Sequence, residues 1–279
     1  MNALDDRSGL DISEELTTDL LVRFLRSEAG KFGFEKVVCG LSGGVDSAVA
    51  VALAAQAFGP ANILGVMMPY RTSNPSSEAD ARIVADSLGI STRKVDISDM
   101  ADGYLTEAGV DDRMRRGNVM ARCRMIVLYD LSVEWRGLVL GTSNKTEILL
   151  GYSTQWGDSA SALNPLGDLY KHQVFQLARH LKLPSAVIDK APSADLFEGQ
   201  TDEDELGFTY EEVDRLLVRM IDERWTEEDL VAEGFSASFF RLVAARIAAN
   251  QYKRLPPIIA KLGPRSVTHD FRYLRSWGH

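Results

Sequence analysis

The stretch Lys36-Val-Val-Cys-Gly-Leu-Ser-Gly-Gly-Val-Asp-Ser47 decides the fold. Its first half, through Leu41, is a short β-branched apolar run of the kind buried on both faces of a parallel sheet. A Ser-Gly-Gly turn follows, and then Ala48 to Phe58 is alanine-rich and helical, closed by Gly59-Pro60. Ala48 to Ala55 is also the longest uninterrupted apolar run, eight residues, where a bilayer span needs ~18 or more. Strand, tight turn and buried helix are therefore predicted, and a membrane segment is not.

The same alternation continues on both sides. Residues 11 to 29 read as an amphipathic helix, with Leu16, Leu20, Leu21, Phe24 and Leu25 at helical spacing and Gly30 and Gly33 breaking it. Downstream, Asn62 to Pro69 predicts a second strand. Ser77 to Leu88 predicts a helix opened by Ser76 or Ser77 and ended by Gly89, and Ile90 to Ile97 a third strand. Asn118 to Trp135 predicts a long helix and Gly137 to Gly141 a fourth strand. Beyond these, residues 168–182, 209–223, 226–233 and 236–250 read as helical. This pattern predicts an α/β fold: a doubly wound parallel sheet over residues 1–150, with 151–279 a mainly helical extension of the same single domain.

Composition narrows the function. Hydrophobic residues at 45% and charged residues at 25% of 279 match an ordinary globular chain. Thirty-one basic against forty acidic residues give a net charge of −9, the wrong sign for a nucleic-acid binder. The sign is uneven: Asp202 to Glu205 is solidly acidic, whereas Arg241 to the end carries eight basic residues and one acid, Asp270. Such a tail suits a phosphorylated small molecule, a neighbouring subunit, or a solvated face. The acidic start lacks the apolar core of a secretory signal. Cys39 and Cys123 supply neither a disulfide framework nor a metal knuckle and are expected as small buried hydrophobes in the cytoplasm. Histidines 172, 180, 269 and 279 lack metal-ligand spacing and are expected at the surface.

The chemistry lies in Gly40, Leu41, Ser42, Gly43, Gly44, Val45, Asp46 and Ser47. In an open parallel sheet this loop faces the ligand crevice beyond the strand carboxyl ends. Glycines 43 and 44 let the backbone approach an anion, and the following helix offers N–H groups and the positive end of its dipole. Ser42 and Ser47 add hydroxyls. Asp46 would repel a phosphate unless a divalent cation lay between them, and Mg²⁺ binds in that way, through a carboxylate or two plus substrate phosphates. The loop is neither GxxxxGK[ST] nor GxGxxG. By length alone, an ordinary strand–turn–helix junction with a serine cap fits as well.

The run SGGVDS after a first strand resembles the pyrophosphate-binding loop of the N-type ATP pyrophosphatases, which cleave ATP between its α and β phosphates. Further segments follow in order: Asn118-Val-Met-Ala-Arg122, Gly141-Thr-Ser-Asn-Lys-Thr-Glu147, Gly157-Asp158, Asn164-Pro165, Lys171-His-Gln-Val174, Lys190-Ala-Pro-Ser-Ala-Asp-Leu196, Gln200-Thr-Asp-Glu203, Leu206-Gly207, Tyr210 and Lys253-Arg254-Leu-Pro256. That succession, from about residue 15 to residue 257, resembles the NAD⁺ synthetase family. The resemblance implies an adenine-nucleotide α-hydrolase-like fold. It implies a ligase that adenylates the carboxylate of deamido-NAD⁺ with ATP and Mg²⁺, then lets ammonia displace AMP.

The resemblance also implies roles. Asp46 and Glu147 would hold the metal, and Glu147 with Thr142 follows the fourth strand on the same sheet edge as the loop. Thr142, Lys171 and Ser193 would contact ATP, Lys171 as a point charge against the triphosphate. Arg122, Tyr252 and Lys253 would hold the dinucleotide, a guanidinium suiting phosphate. Asp158 is a candidate to bind ammonium or take its proton, or else a structural cap. Gln155 and Ala162 depart from the family's usual lysine and aspartate in the acceptor site, both charges being absent together.

The family's glutamine-dependent members carry a further glutaminase domain with a cysteine nucleophile. Neither Cys39 nor Cys123 sits in such a motif, so free ammonia, or ammonia from a separate glutaminase subunit, is the expected donor. A symmetric homodimer is implied too, through the Asn118–Trp135 helix and the helix before the first strand. Other readings are amidation of nicotinate mononucleotide and a non-catalytic ATP-binding protein. RNA-modifying pyrophosphatases would be basic, and the C-terminus does not match GMP synthetase.

Overall fold

The structure is a computed structural model, and it describes residues 9–193 and 201–267. The sequence expectations for positions 194–196, Gln200, His269, Asp270 and His279 lie outside the described residues. Four parallel strands form the sheet: β1 (Val37–Gly40), β2 (Ile63–Met67), β3 (Ser91–Lys94) and β4 (Leu138–Leu140), in the order β3-β2-β1-β4. Val37 pairs with Ile63 on one side and Leu138 on the other, so β1 is central. The chain winds outward through β2 and β3, then returns to the far side of β1 for β4. The carboxyl ends of β1 and β4 thus flank the switch point where open α/β sheets bind ligands.

β1 and β2 are buried along nearly their whole length, as their unbroken apolar runs predict. β3 is not: Ser91, Thr92 and Lys94 are exposed, because it is the sheet edge and needs apolar cover on one side only. Helix α2 (Val45–Phe58) is buried over most of its surface between the sheet, α1 (Glu14–Gly30) and α7 (Lys171–His180). Its alanines at 48, 50, 52 and 54 keep the helix thin enough for neighbours on all sides. The other face of the sheet is covered by α4 (Ser98–Glu107) and α5 (Arg113–Trp135), which share a core with Val38, Leu64 and Val66. Both cysteines are buried and free, and burial raises the Cys39 thiol to about 12.

Helix limits show where sequence periodicity misleads. Helix α3 (Pro75–Leu88) starts before Ser76 and Ser77, because Asn74 is its cap, accepting the Ser76 N–H at 3.0 Å, and Pro75 occupies the first turn. Helix α5 starts at Arg113 rather than Asn118; its first turn is polar and exposed, and Asp112 caps it through the Arg115 N–H. Helices α4, α6 (Lys145–Leu150), α8 (Ser185–Ile188) and α9 (Asp202–Leu206) are mostly too short to show a period and went unread.

The extension beyond β4 comprises α6 through α10 (Tyr210–Leu217), α11 (Glu227–Ala232) and α12 (Ala237–Ala249). It has its own apolar core, built on Leu150, Tyr170, Leu216, Leu217, Leu230 and Val243. The basic residues of the C-terminal stretch turn inward as well as outward. Arg241 pairs with Glu227 on the surface, but Lys253 and Arg254 bind the backbone carbonyls of Ile148, Leu149, Gly151 and Ser153. No described helix is long and apolar enough to cross a membrane.

One glycine ties the loop after β1 to its neighbour. Gly43 has φ +77°, and a Cβ there would lie 2.2 Å from the carbonyl oxygen of Ser77 on α3. Gly59 has φ +84° with open space around it. With ψ 146° it lies in a region essentially reserved for glycine, so Gly59→Ala should cost only this backbone strain, about 1–3 kcal/mol. Gly43→Ala should cost clearly more, since either α3 or the loop must move. Thermal melts of the two variants check this; equal shifts would show that the contact with α3 has no weight.

Candidate active site

The loop after β1 is braced internally. The Ser42 N–H donates to the Ser47 hydroxyl at 3.3 Å, and that hydroxyl donates to the Gly44 carbonyl at 3.0 Å. The Gly44 N–H donates to the Ser42 hydroxyl at 3.3 Å. Leu41 and Val45 point into the core, so they serve the loop through their backbone. The first-turn N–H groups of α2 have no carbonyl within the helix to bind, which leaves an anion-binding end at the mouth of the crevice.

Asp46, in that first turn, meets two groups from elsewhere in the chain. Its Oδ1 accepts the Asn144 side-chain amide at 2.8 Å, and its Oδ2 lies 2.5 Å from the Lys171 ammonium. The same ammonium lies 3.2 Å from Glu147 Oε1. Asn144 caps α6 by a reciprocal box with Glu147, and so places that carboxylate and braces Asp46 at once. Neither this cap nor the bond from Asn144 to Asp46 was read from the sequence.

Lys171 is 2% exposed, so its charge is almost wholly withdrawn from water. Burial by itself would lower its pKa, but Asp46 and Glu147 outweigh burial and hold the ammonium above the usual lysine range. The Tyr210 ring covers it from another side, with the ammonium 4.9 Å from the ring centre. Burial pushes the Glu147 carboxyl upward and Asp46 and Asp202 push the same way, while the Lys171 ammonium beside it pulls it down. Asp202 is buried, and its oxygens accept the hydroxyls of Tyr152 and Tyr210, each at 3.0 Å. Sequence reasoning gave Asn144, Asp202 and Tyr210 no individual roles, because their partners are remote in the chain.

These groups open on a cleft of about 1850 Å³. Sites for one small molecule usually occupy ~300–1,000 Å³, so two substrates can be accommodated. Thr142, Ser193, Arg122, Gln155, Asp158, Tyr252 and Lys253 also line it. Arg122 donates to the Gln155 carbonyl at 3.1 Å, and the Gln155 amide reaches the Tyr252 carbonyl at 3.4 Å. The Asp158 carboxylate accepts the Thr154 N–H at 2.8 Å, and desolvation between the cleft walls raises its pKa. The Lys253 ammonium binds the carbonyls of Gly151 and Ser153 at 2.7 and 2.8 Å, and so shapes the 151–158 loop. Ala162 is exposed and is not among the residues lining the cleft. Gln155 and Ala162 therefore do not share that wall. His180 is exposed and His172 is half-buried beside Asp11.

The signature of the family described as NAD synthase matches residues 17–257. A protein of Trichlorobacter lovleyi named as an NH₃-dependent NAD⁺ synthetase is 54% identical over 271 residues, covering 97% of this chain and 99% of that one. Among solved structures, the NMN synthetase of Francisella tularensis superposes with a TM-score of 0.80 at 32% identity, covering 90% of this chain and 99% of its own. The NH₃-dependent NAD synthetase of Campylobacter jejuni, solved with a nitrate ion, superposes at 0.78 and 30% identity, covering 90% of this chain and 100% of its own. A match that runs from within α1 to beyond α12 makes this chain a member of the NAD synthase family.

Proposed function

We propose that the chain amidates deamido-NAD⁺ with ammonia, at the expense of ATP, to give NAD⁺, AMP and diphosphate. One observation carries this reading. A buried Lys171 stands between Asp46 and Glu147, beside an anion-binding helix end at the switch point of the sheet. A protein that merely holds ATP has no need to bury such a cluster. We further propose that the sheet and the helical extension act as one domain, since α7 of the extension brings Lys171 onto Asp46 of the loop after β1 and Glu147 of α6.

The donor set fits Mg²⁺. Two carboxylates already converge on one positive charge, and Mg²⁺ commonly takes one or two carboxylates and completes its shell from substrate phosphates. Among the described residues no larger His, Cys, Asp and Glu cluster exists to hold a metal alone. Asp46 and Glu147 would hold the ion, and when bound it supplies charge neutralisation at the triphosphate.

The residues of the chain do the rest by position and charge. Gly40 to Ser47 seat the diphosphate end of ATP, with Thr142 and Ser193 on the flanking walls. Lys171 stabilises the charge that builds as the nicotinate carboxylate attacks the α-phosphorus and diphosphate leaves. The resulting acyl adenylate is attacked by ammonia at the carbonyl carbon, and AMP departs. Asp158, its pKa raised by desolvation, is placed to take the proton that ammonium must lose. Arg122, Gln155 and Tyr252 bind the acceptor, while Lys253 holds their loop. Ala162 would act, if at all, from outside the cleft. The ammonia is free or is delivered by a separate glutaminase subunit; the cytoplasmic placement is supported by two free, buried thiols.

A second reading has specific support. Gln155 and Ala162 replace the acceptor-site charges of the usual pattern, and the Francisella relative is an NMN synthetase. The acceptor would then be nicotinate mononucleotide. Diphosphate release with ATP, Mg²⁺ and ammonium decides between them. A kcat/KM for deamido-NAD⁺ above that for the mononucleotide is expected, whereas a tenfold preference, ~1.4 kcal/mol, for the mononucleotide would overturn the choice. Absence of release with either acceptor would sink both readings.

Asp46→Asn should reduce diphosphate release to background at a temperature where its circular dichroism spectrum is still native, with a lowered melting temperature because Lys171 loses one of its two carboxylate partners. Release within a few-fold of the parent enzyme would remove Asp46 from the metal role.

We also propose a symmetric homodimer. Ile126, Tyr129 and Val133 form an exposed apolar row along α5, and Leu16 and Leu20 do so on α1. Sedimentation should give twice the 30.8 kDa of the chain, and Val133→Glu should shift the equilibrium toward the monomer. A fully active monomer at micromolar concentration would refute it.

A further inference from the structure

Asp214, on α10, is a carboxylate that none of the steps above uses, yet it is fully buried. Each of its oxygens accepts one hydrogen bond. Oδ1 takes the Thr146 hydroxyl at 2.5 Å, and Oδ2 takes the His172 backbone N–H at 2.8 Å. The Thr146 hydroxyl oxygen in turn accepts the Lys171 backbone N–H at 3.0 Å. Thr146 precedes Glu147 on α6, and His172 follows Lys171 on α7. One carboxylate therefore joins three helices at a point one residue from both halves of the ion cluster.

The arrangement has a local logic. The first N–H groups of α7 lack acceptors within the helix, and Thr146 and Asp214 supply them. A negative charge at a helix N-terminus is favoured by the dipole. Burying a carboxylate is nevertheless costly, and burial raises the Asp214 carboxyl to about 6, leaving it mainly ionised at neutral pH. Apolar side chains could pack the three helices together, but they would not fix how far α6 and α7 slide past each other. Directional bonds to both helices do. Tyr210, at the start of the same α10, lays its ring against the Lys171 ammonium, so α10 meets Lys171 at its backbone and at its tip.

We propose that Asp214, with Thr146 as its relay, is a positioning residue that sets the placement of Lys171 relative to Glu147 and Asp46 and thereby the rate of the chemical step. This rests on the roles given to Lys171 and Glu147 under the proposed function. It predicts an effect on turnover rather than on substrate affinity, because Asp214 touches neither the cleft nor a substrate.

The test is steady-state kinetics of Asp214→Asn, Thr146→Val and Thr146→Ser beside Lys171→Met, each at a temperature where its melt shows it folded. Asparagine keeps the shape and an acceptor for His172 but removes the charge and the acceptor for the Thr146 proton. Asp214→Asn and Thr146→Val should lower kcat at least ~10-fold with the KM for ATP within about threefold, as misplaced catalytic groups do. Thr146→Ser keeps the hydroxyl and should rescue turnover to near the parent value. The double variant should be little worse than its worse single parent, since both break one chain of bonds. An unchanged kcat with only a lowered Tm, or a serine variant as impaired as the valine one, would overturn the inference. An inactive Lys171→Met beside a fully active Asp214→Asn would refute this inference alone. A fully active Lys171→Met would refute the reading of the site and this inference with it.

Discussion

The structure depends on a lysine that cannot reach water. Removing an ammonium from solvent costs several kcal/mol, and only well-placed opposite charges offset it. Lys171 finds them in Asp46 and Glu147, which come from separate crossovers of the sheet and its extension. The three residues cannot drift independently, because loss of one partner from a buried pair costs about 3–5 kcal/mol. Helices α2, α6 and α7 are thus held in one register by the same ammonium, at the mouth of the cleft. Stability and readiness for chemistry have a common origin here.

The sheet supplies the frame for that cluster. With β2 and β3 on one side of β1 and β4 on the other, the loops leaving β1 and β4 diverge and leave a crevice between them. Asp46 enters from the β1 side, and Thr142, Asn144 and Glu147 from the β4 side. Asn144 closes the gap by capping its own helix while binding Asp46 across the crevice. Local folding and long-range assembly thus use the same side chain.

The helical extension supports the acceptor side by backbone capping. The Arg254 guanidinium lies 3.1 and 2.7 Å from the Ile148 and Leu149 carbonyls, near the end of α6, where carbonyls lack helical partners. Lys253 does the same for Gly151 and Ser153. Gly151 turns the chain at φ +65° against Asn250, and a Cβ there would lie 2.2 Å from the asparagine Cβ. The short helix bearing Glu147 and the loop bearing Gln155 and Asp158 are therefore gripped from the C-terminal segment. Lys253, expected from the sequence to contact the dinucleotide, and its neighbour Arg254 form a backbone clamp.

Sequence alone determined the parallel α/β frame, because buried strands carry continuous apolar runs and their loops carry the glycines that phosphate binding requires. It also determined that Asp46 and Glu147 lie on one edge, since each follows a strand of the parallel sheet, whereas the arrival of Lys171 between them was decided by packing. It did not determine α6 or α9, whose five or six residues are shorter than two helical turns and show no period. Nor could it reveal Asn144 on Asp46, Asp202 between two tyrosines, or Asp214 beneath Thr146 and His172. Their partners lie between 8 and 98 residues away. Only packing brings such groups within 3 Å, and a polar residue in a sequence gives no sign of which distant donor will satisfy it once both are buried. The exposed position of Ala162, away from Gln155 on the cleft wall, was likewise decided by the path of the loop after Asp158 and not by any spacing in the chain.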